Sequence, residues 1–238
     1  MTADLLRVSR LSVGYGDLQV VWGIDLHVGS GEWVTVIGSN GVGKSTLLKA
    51  IAGILRPTSG SVEWKGRDVT ALSAAARVRC GLSLVPEGKR LFTGMTVEEN
   101  LLMGAFARRD RTEAKQDLER VLALFPALKD RTAQIAGTLS GGEQQMCSLG
   151  RGLMARPQLL LVDELSFGLA PAVTAGLLDA MAAIVRDGVS VVLVEQDVLG
   201  ALRRAHRGYV IRAGQVVREG SGADLIADPT IRKAYLGL

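Results

Sequence analysis

Residues 38–46 read Gly-Ser-Asn-Gly-Val-Gly-Lys-Ser-Thr, a G-x-x-x-x-G-K-[ST] spacing with Gly38, Gly43, Lys44 and Ser45 at its fixed positions. Glycines so spaced let backbone N–H groups converge on oxygen anions, and a following helix start adds the positive end of its dipole. The whole stretch, Gly38, Ser39, Asn40, Gly41, Val42, Gly43, Lys44, Ser45 and Thr46, is therefore assigned to phosphate binding. Lys44 reaches the terminal phosphates, and the Ser45 hydroxyl ligates Mg²⁺. An apolar run, Trp33-Val34-Thr35-Val36-Ile37, precedes the glycines and a helical stretch, Leu47 to Ile54, follows them. Strand, glycine loop and helix in that order separate a nucleotide site from an ordinary glycine-rich turn.

A second motif, Leu139-Ser140-Gly141-Gly142-Glu143-Gln144-Gln145, opens a helix that runs to about Ala155. Ser140 and Glu143 have the spacing of a capping box, which on its own marks nothing more than a well-made helix start. The glycine pair between them is not explained that way, because each glycine costs about 1 kcal/mol relative to alanine in a helix. Close approach of an anion to the backbone of Ser140, Gly141 and Gly142 explains it. One glycine loop already serves the phosphates, so this second site suggests another protomer closing over the same nucleotide. Together, LSGGEQQ and GSNGVGKST resemble the ATPase subunit of an ATP-binding cassette (ABC) transporter, from Tyr15 to the C-terminus.

The resemblance implies roles for further residues. Leu159-Leu160-Leu161-Val162-Asp163-Glu164 is an apolar strand ending in two acids. In this family Asp163 holds Mg²⁺, mostly through water, as a hard cation favouring oxygen requires. Glu164 polarises the attacking water as general base. Tyr15 stands where the family stacks an aromatic on adenine. Glu87 occupies the position of a glutamine that touches Mg²⁺ and the lytic water, and its carboxylate can ligate the metal directly. Gln196 occupies the position of a histidine that holds the γ-phosphate; it can donate a hydrogen bond but brings no titrating proton. Ala170 replaces a common interface aspartate, and Leu165 a proline that usually follows the general base.

Glu87 and Gln196, with Arg90-Leu91-Phe92, Met95 to Asn100 and the ending Ala234-Tyr235-Leu236-Gly237, resemble one subgroup. This is the second ATPase of branched-chain amino acid importers, with urea and amide importers close by. Such a protein is expected to work on the cytoplasmic face of the cell membrane. Its partners are a second ATPase subunit, as a heterodimer or a homodimer, two membrane permease subunits and, indirectly, a periplasmic or extracellular binding protein.

The elements that must hold these residues are legible as patterns. Leu5 to Val13, Val20-Val21 and Ile24 to Val28 read as short strands broken at Gly14-Tyr15-Gly16 and Trp22-Gly23; with Ser61 to Trp64 they suggest an antiparallel sheet. Leu82 to Pro86, Leu159 to Val162 and Ser190 to Glu195 are short apolar runs between helical patterns, the mark of buried parallel strands. From Glu87 to Pro157 the pattern is almost wholly helical. Val210-Ile211 and Val216-Val217 flank Ala213-Gly214, the pattern of a hairpin. The expectation is a single α/β domain, residues 1–238, of P-loop NTPase type with an antiparallel β subdomain. Residues 1–86 and 157–238 form its core, and 87–156 an inserted helical subdomain carrying Ser140 to Gln145.

Composition limits the alternatives. At 238 residues, 47% hydrophobic and 22% charged, the chain can bury a core. Aromatics are 4%, too few for a nucleic-acid stacking surface, and a net charge of +4 is ordinary. Cys80 and Cys147 fit no metal spacing and are expected as reduced core thiols. Charges early in Met1 to Arg10 argue against a signal peptide, and no apolar run approaches the ~18 residues that span a bilayer. A soluble ABC-type ATPase acting on DNA, iron–sulfur assembly or the ribosome is the alternative. The stretch from Glu87 to Leu139 leaves no room for the long coiled coil of DNA-repair relatives, and there is one cassette where ribosome-acting relatives carry two. A P-loop kinase or GTPase would lack the second glycine motif.

Overall fold

A computed structural model describes residues 4–108 and 110–236. Met1 and Gly237, which entered the reading of the two termini, lie outside the described residues. In chain order the first strands are β1 (Leu6–Tyr15), β2 (Leu18–Val28) and β3 (Trp33–Ile37), then helix α1 (Lys44–Ile51). Strands β4 (Ser59–Trp64) and β5 (Arg67–Asp68), helix α2 (Ala74–Arg79) and strand β6 (Leu82–Val85) follow. A helical stretch comes next: α3 (Val97–Met103), α4 (Arg111–Leu124), α5 (Pro126–Lys129) and α6 (Gly141–Leu153). The chain then alternates β7 (Leu159–Asp163), α7 (Pro171–Arg186), β8 (Ser190–Val194) and α8 (Val198–Leu202). It ends with hairpin β9 (Arg207–Arg212) and β10 (Gln215–Ser221) and short helices α9 (Gly222–Ala227) and α10 (Pro229–Ile231).

The strands form two sheets. One has the order β2-β1-β4-β5, all antiparallel. The other has the order β10-β9-β3-β8-β7-β6, parallel except for the edge hairpin β9–β10. Strands β3, β7 and β8 are buried along their whole length. Their alternate residues enter different cores: Leu159, Leu161, Val192 and Val194 face the antiparallel sheet and α1. Leu160, Val162, Val191 and Leu193 face a second core with α3, α4, α6 and α7. Burial on both faces is why these strands read as continuous apolar runs rather than as alternation.

Two expectations are corrected here. The break expected at Trp22-Gly23 does not end a strand, since β2 runs through it, whereas Gly14-Tyr15-Gly16 is where β1 ends and the hairpin turns into β2. The pairing absorbs the irregular residues as register shifts between Val8 and Gly14, so they bend the ladder without ending it. Cys147 is buried, and burial pushes its thiol up to about 11. Cys80 is instead exposed, since it caps a six-residue helix that lies on the surface.

Buried Arg77 of α2 fixes the far end of α1, donating to the carbonyls of Ala50 at 2.8 Å and Ile51 at 2.6 Å. At the seam of the two sheets Arg207 bonds Glu32 and Glu219 and meets His27 of β2. Among the described residues no helix is long and apolar enough to cross a membrane.

Candidate active site

The phosphate loop leaves β3 at Gly38 and enters α1 at Lys44, three residues earlier than the helical pattern suggested. Gly38 is buried so closely that a Cβ would lie 2.4 Å from the Ile211 carbonyl oxygen. Gly43, the residue before α1, holds φ at 103°, in the left-handed region that favours glycine. The first helical bond runs from the Leu47 N–H to the Gly43 carbonyl at 2.9 Å. The N–H groups of Lys44, Ser45 and Thr46 thus have no intrahelical acceptor and face the loop, as an anion site requires. Ser39, Asn40 and Gly41 are exposed around that opening.

Lys44 is buried. Its Nζ donates to the carbonyls of Gly38 at 2.8 Å and Ser39 at 3.0 Å, so the ammonium pins the loop from within. Burial lowers its pKa, opposed by the charges of Glu164, Asp163 and Glu195.

Asp163 ends β7 and is 1% exposed. Its Oδ1 accepts from the Ser45 hydroxyl at 2.8 Å, while Oδ2 is buried without a protein partner. Burial raises the Asp163 pKa, offset in part by the Ser45 hydrogen bond and reinforced by the negative charge of exposed Glu87. A hydroxyl, an orphaned carboxylate oxygen and a second carboxylate form a hard oxygen donor set of the kind Mg²⁺ prefers. Among the described residues no three His, Cys, Asp or Glu side chains are grouped to hold a metal by themselves.

Glu164 follows at φ 56°, an uncommon conformation for a residue with a side chain. Its N–H donates to the Val194 carbonyl of β8 at 3.0 Å. Its Oε1 accepts from the Gln196 side-chain amide at 2.8 Å. Because β8 lies between β3 and β7, the phosphate loop, both acids and Gln196 all emerge at the same, carboxyl edge of the sheet, where ligands of open α/β sheets sit. The Tyr15 hydroxyl lies 3.5 Å from the Thr46 hydroxyl, and its side chain is half exposed beside the loop.

Ser140 caps α6 through a reciprocal box: its N–H donates to Glu143 at 2.8 Å, and its hydroxyl accepts the Glu143 N–H at 3.4 Å. Arg131 holds the same carboxylate at 3.0 Å. Among the described residues no hydrogen bond joins Ser140, Gly141 or Gly142 to the phosphate loop. Gly142 also has a reason within the chain, since a Cβ there would come within 2.7 Å of the Val173 side chain of α7. Gly142 therefore answers to helix packing as well as to any ligand, whereas a Cβ at Gly141 would stand 3.4 Å from Leu169 and Lys89, ordinary contact distances.

In the loop after β6, Phe92 is exposed, while Leu91 packs against the second core. Phe92 instead belongs to a groove of about 380 Å³ with Arg90, Met103, Phe106 and Arg151 on its walls. Neither that groove nor buried Glu195 is evident from the residues alone. The available signal for Glu195 is an acid placed directly after the apolar run Val191 to Val194.

A profile of the family described as ABC transporter matches residues 21–166. The chain is 44% identical, over 98% of its length and all of the relative's, to the high-affinity branched-chain amino acid transport ATP-binding protein BraG of Pseudomonas aeruginosa. It is 32% identical, over 98% of its length and 99% of the relative's, to a probable branched-chain amino acid transport ATP-binding protein, LivF, of Archaeoglobus fulgidus. A crystal structure of the ADP conformation of an ATP-binding cassette of an ABC transporter superposes with a TM-score of 0.87 at 26% identity, with each chain covered completely. With its phosphate loop, its strand-end acids and these likenesses over its full length, the chain belongs to the ABC transporter family, as one of its ATP-binding subunits.

Proposed function

We propose that this subunit hydrolyses ATP to drive an importer of branched-chain amino acids, from the cytoplasmic face of the membrane. The observation that carries the proposal is the Ser45–Asp163 pair with its free buried Oδ2, in a chain 44% identical throughout to a branched-chain amino acid transport subunit. Residues 38–46 bind the phosphates, Tyr15 stacks on adenine, and Ser45, Asp163 and Glu87 hold Mg²⁺. When bound, the ion neutralises developing phosphate charge. Glu164 accepts the proton of the attacking water, and the Gln196 amide orients its carboxylate. Ser140, Gly141 and Gly142 serve the nucleotide of a second ATPase subunit, so the working unit is a dimer on two permease subunits, fed by an external binding protein. Residues 87–156 act as a helical subdomain. Uptake by membrane vesicles holding the assembled transporter tests the cargo: leucine, isoleucine and valine should be accumulated with ATP. Accumulation of urea or short amides instead would transfer the chain to that neighbouring branch.

The groove lined by Phe92, Met103 and Phe106 receives the permease. Phe106 is 83% exposed, so replacing it disturbs little of the fold. Phe106→Asp should abolish transport by the complex while the detached subunit hydrolyses ATP at the wild-type rate. Unimpaired transport would place the permease contact elsewhere.

Gln196→His, whose ring N–H can still donate to the Glu164 carboxylate, should raise turnover and introduce a titration between about pH 5 and 8, because imidazole adds a charge that can stabilise the γ-phosphate transition state. Each tenfold gain corresponds to about 1.4 kcal/mol of barrier. The check is a pH–rate profile at saturating Mg-ATP. Superimposable profiles would remove residue 196 from the γ-phosphate.

A further inference from the structure

Glu195 is 0% exposed, next to Gln196 and just past the end of β8. Its Oε2 accepts the Leu165 N–H at 3.2 Å, and its Oε1 has no hydrogen-bond partner in the chain. Burial pushes its carboxyl above the ordinary glutamate range, eased by the Ser166 side chain and by the backbone N–H of Leu165 and Gln196. Unpaired acids are rarely kept in a core, because a buried charge is costly without a partner. Leu165 is itself 1% exposed, so its N–H has no access to water and needs an acceptor.

The position of that N–H gives the acid a use. Leu165 directly follows Glu164, whose backbone sits at φ 56°. Such a conformation persists only where the surroundings over-determine it. Three consecutive residues at the end of β8 do so. The Val194 carbonyl holds the Glu164 N–H, Glu195 holds the Leu165 N–H, and Gln196 holds the Glu164 carboxylate. The first two fix the peptides on either side of Glu164, and the third fixes the direction of its side chain.

We infer that Glu195 is a positioning residue: its bond to the Leu165 N–H sets the backbone that aims Glu164 at the attacking water. The inference rests on the reading that Glu164 carries hydrolysis. A misplacement of about 1 Å at a reacting group can cost 10²-fold in rate, so a single backbone bond has leverage here. With no exposed surface of its own, Glu195 is placed to act through the Leu165 N–H and the backbone of Glu164.

The test is steady-state hydrolysis by the assembled transporter. Glu195→Leu, which removes the acceptor, should lower kcat by about 10- to 100-fold with KM for Mg-ATP within twofold of wild type. Glu195→Gln, whose amide oxygen still accepts the N–H, should restore kcat to within about threefold of wild type. In a Glu164→Gln background, Glu195→Leu should have no further effect. Leu165→Pro deletes the N–H, and proline is the residue the family resemblance implies there. In that background Glu195→Leu should change kcat less than threefold, which keeps the test open if the single leucine variant does not fold. Unchanged kcat in Glu195→Leu, an equal loss in the Glu164→Gln background, or a tenfold loss in the Leu165→Pro background would each overturn the inference. Undiminished turnover in Glu164→Gln alone would instead overturn the reading beneath it.

Discussion

Glu164→Gln is expected to bind ATP as the wild type does and to turn it over about 10²–10⁴-fold more slowly. The amide is nearly isosteric with the carboxylate, so the Glu164 N–H keeps its bond to the Val194 carbonyl and the turn at φ 56° survives. The loss is chemical: an amide cannot take the proton of the attacking water, and the deficit corresponds to about 3–5 kcal/mol of barrier. Binding survives because the phosphate loop and Lys44 are untouched. With hydrolysis stalled, a dimer should accumulate with ATP held between Gly41 of one subunit and Gly142 of the other. Single-turnover hydrolysis together with size-exclusion chromatography in ATP measures both effects. Ordinary turnover would move the base elsewhere, with exposed Glu87, another acid whose charge acts on Asp163, as the next candidate.

Lys44→Ala should remove most of the affinity for Mg-ATP. Losing one buried charge-assisted contact costs about 2–5 kcal/mol, or roughly thirtyfold to several thousandfold in Kd. The structure adds a second consequence, because Nζ also ties the Gly38 and Ser39 carbonyls. Without it, the loop loses its inner support before any nucleotide arrives. Calorimetric titration with Mg-ATP reads the affinity, and thermal unfolding without nucleotide reads the support. Unchanged affinity would count against the phosphate-site assignment as a whole.

What the sequence made legible was whatever depends on local spacing. The glycine loop, the capped start of α6 and the acids ending β7 are each set within a few residues, so their chemistry can be read along the chain. Strand order could be anticipated only as a class, since pairing β3 with β8 rather than with β7 is decided by contacts more than a hundred residues apart. Gly23 misleads because tertiary pairing carries a glycine that usually ends a strand through β2 as part of a bulge. Gly142 pointed to a ligand, yet Val173 on α7 also accounts for it, and that contact has no trace in the motif. Glu195 was overlooked because a glutamate after an apolar strand looks like any exposed cap. Its importance lies in a backbone N–H thirty residues earlier.

The residues after β6 carry one more consequence. Gly88, Lys89 and Arg90 all have positive φ, and the Lys89 carbonyl is gripped by the Ser148 hydroxyl at 2.8 Å and by Arg151 at 3.1 Å, both on α6. Breaking two such bonds, one of them from a guanidinium, costs about 1–3 kcal/mol, more than thermal energy. The loop is thereby tied to α6 at two points, Ser148 and Arg151. Arg151 also lies over the Phe92 ring, 5.5 Å from its centroid, so a push arriving in the groove meets this joint directly. It leaves along the axis of α6, toward the end where Ser140 and Gly141 stand. In mechanical terms α6 is built as a push-rod: its anchored part is the C-terminal half, at Ser148 and Arg151, and its free tip is the start at Gly141.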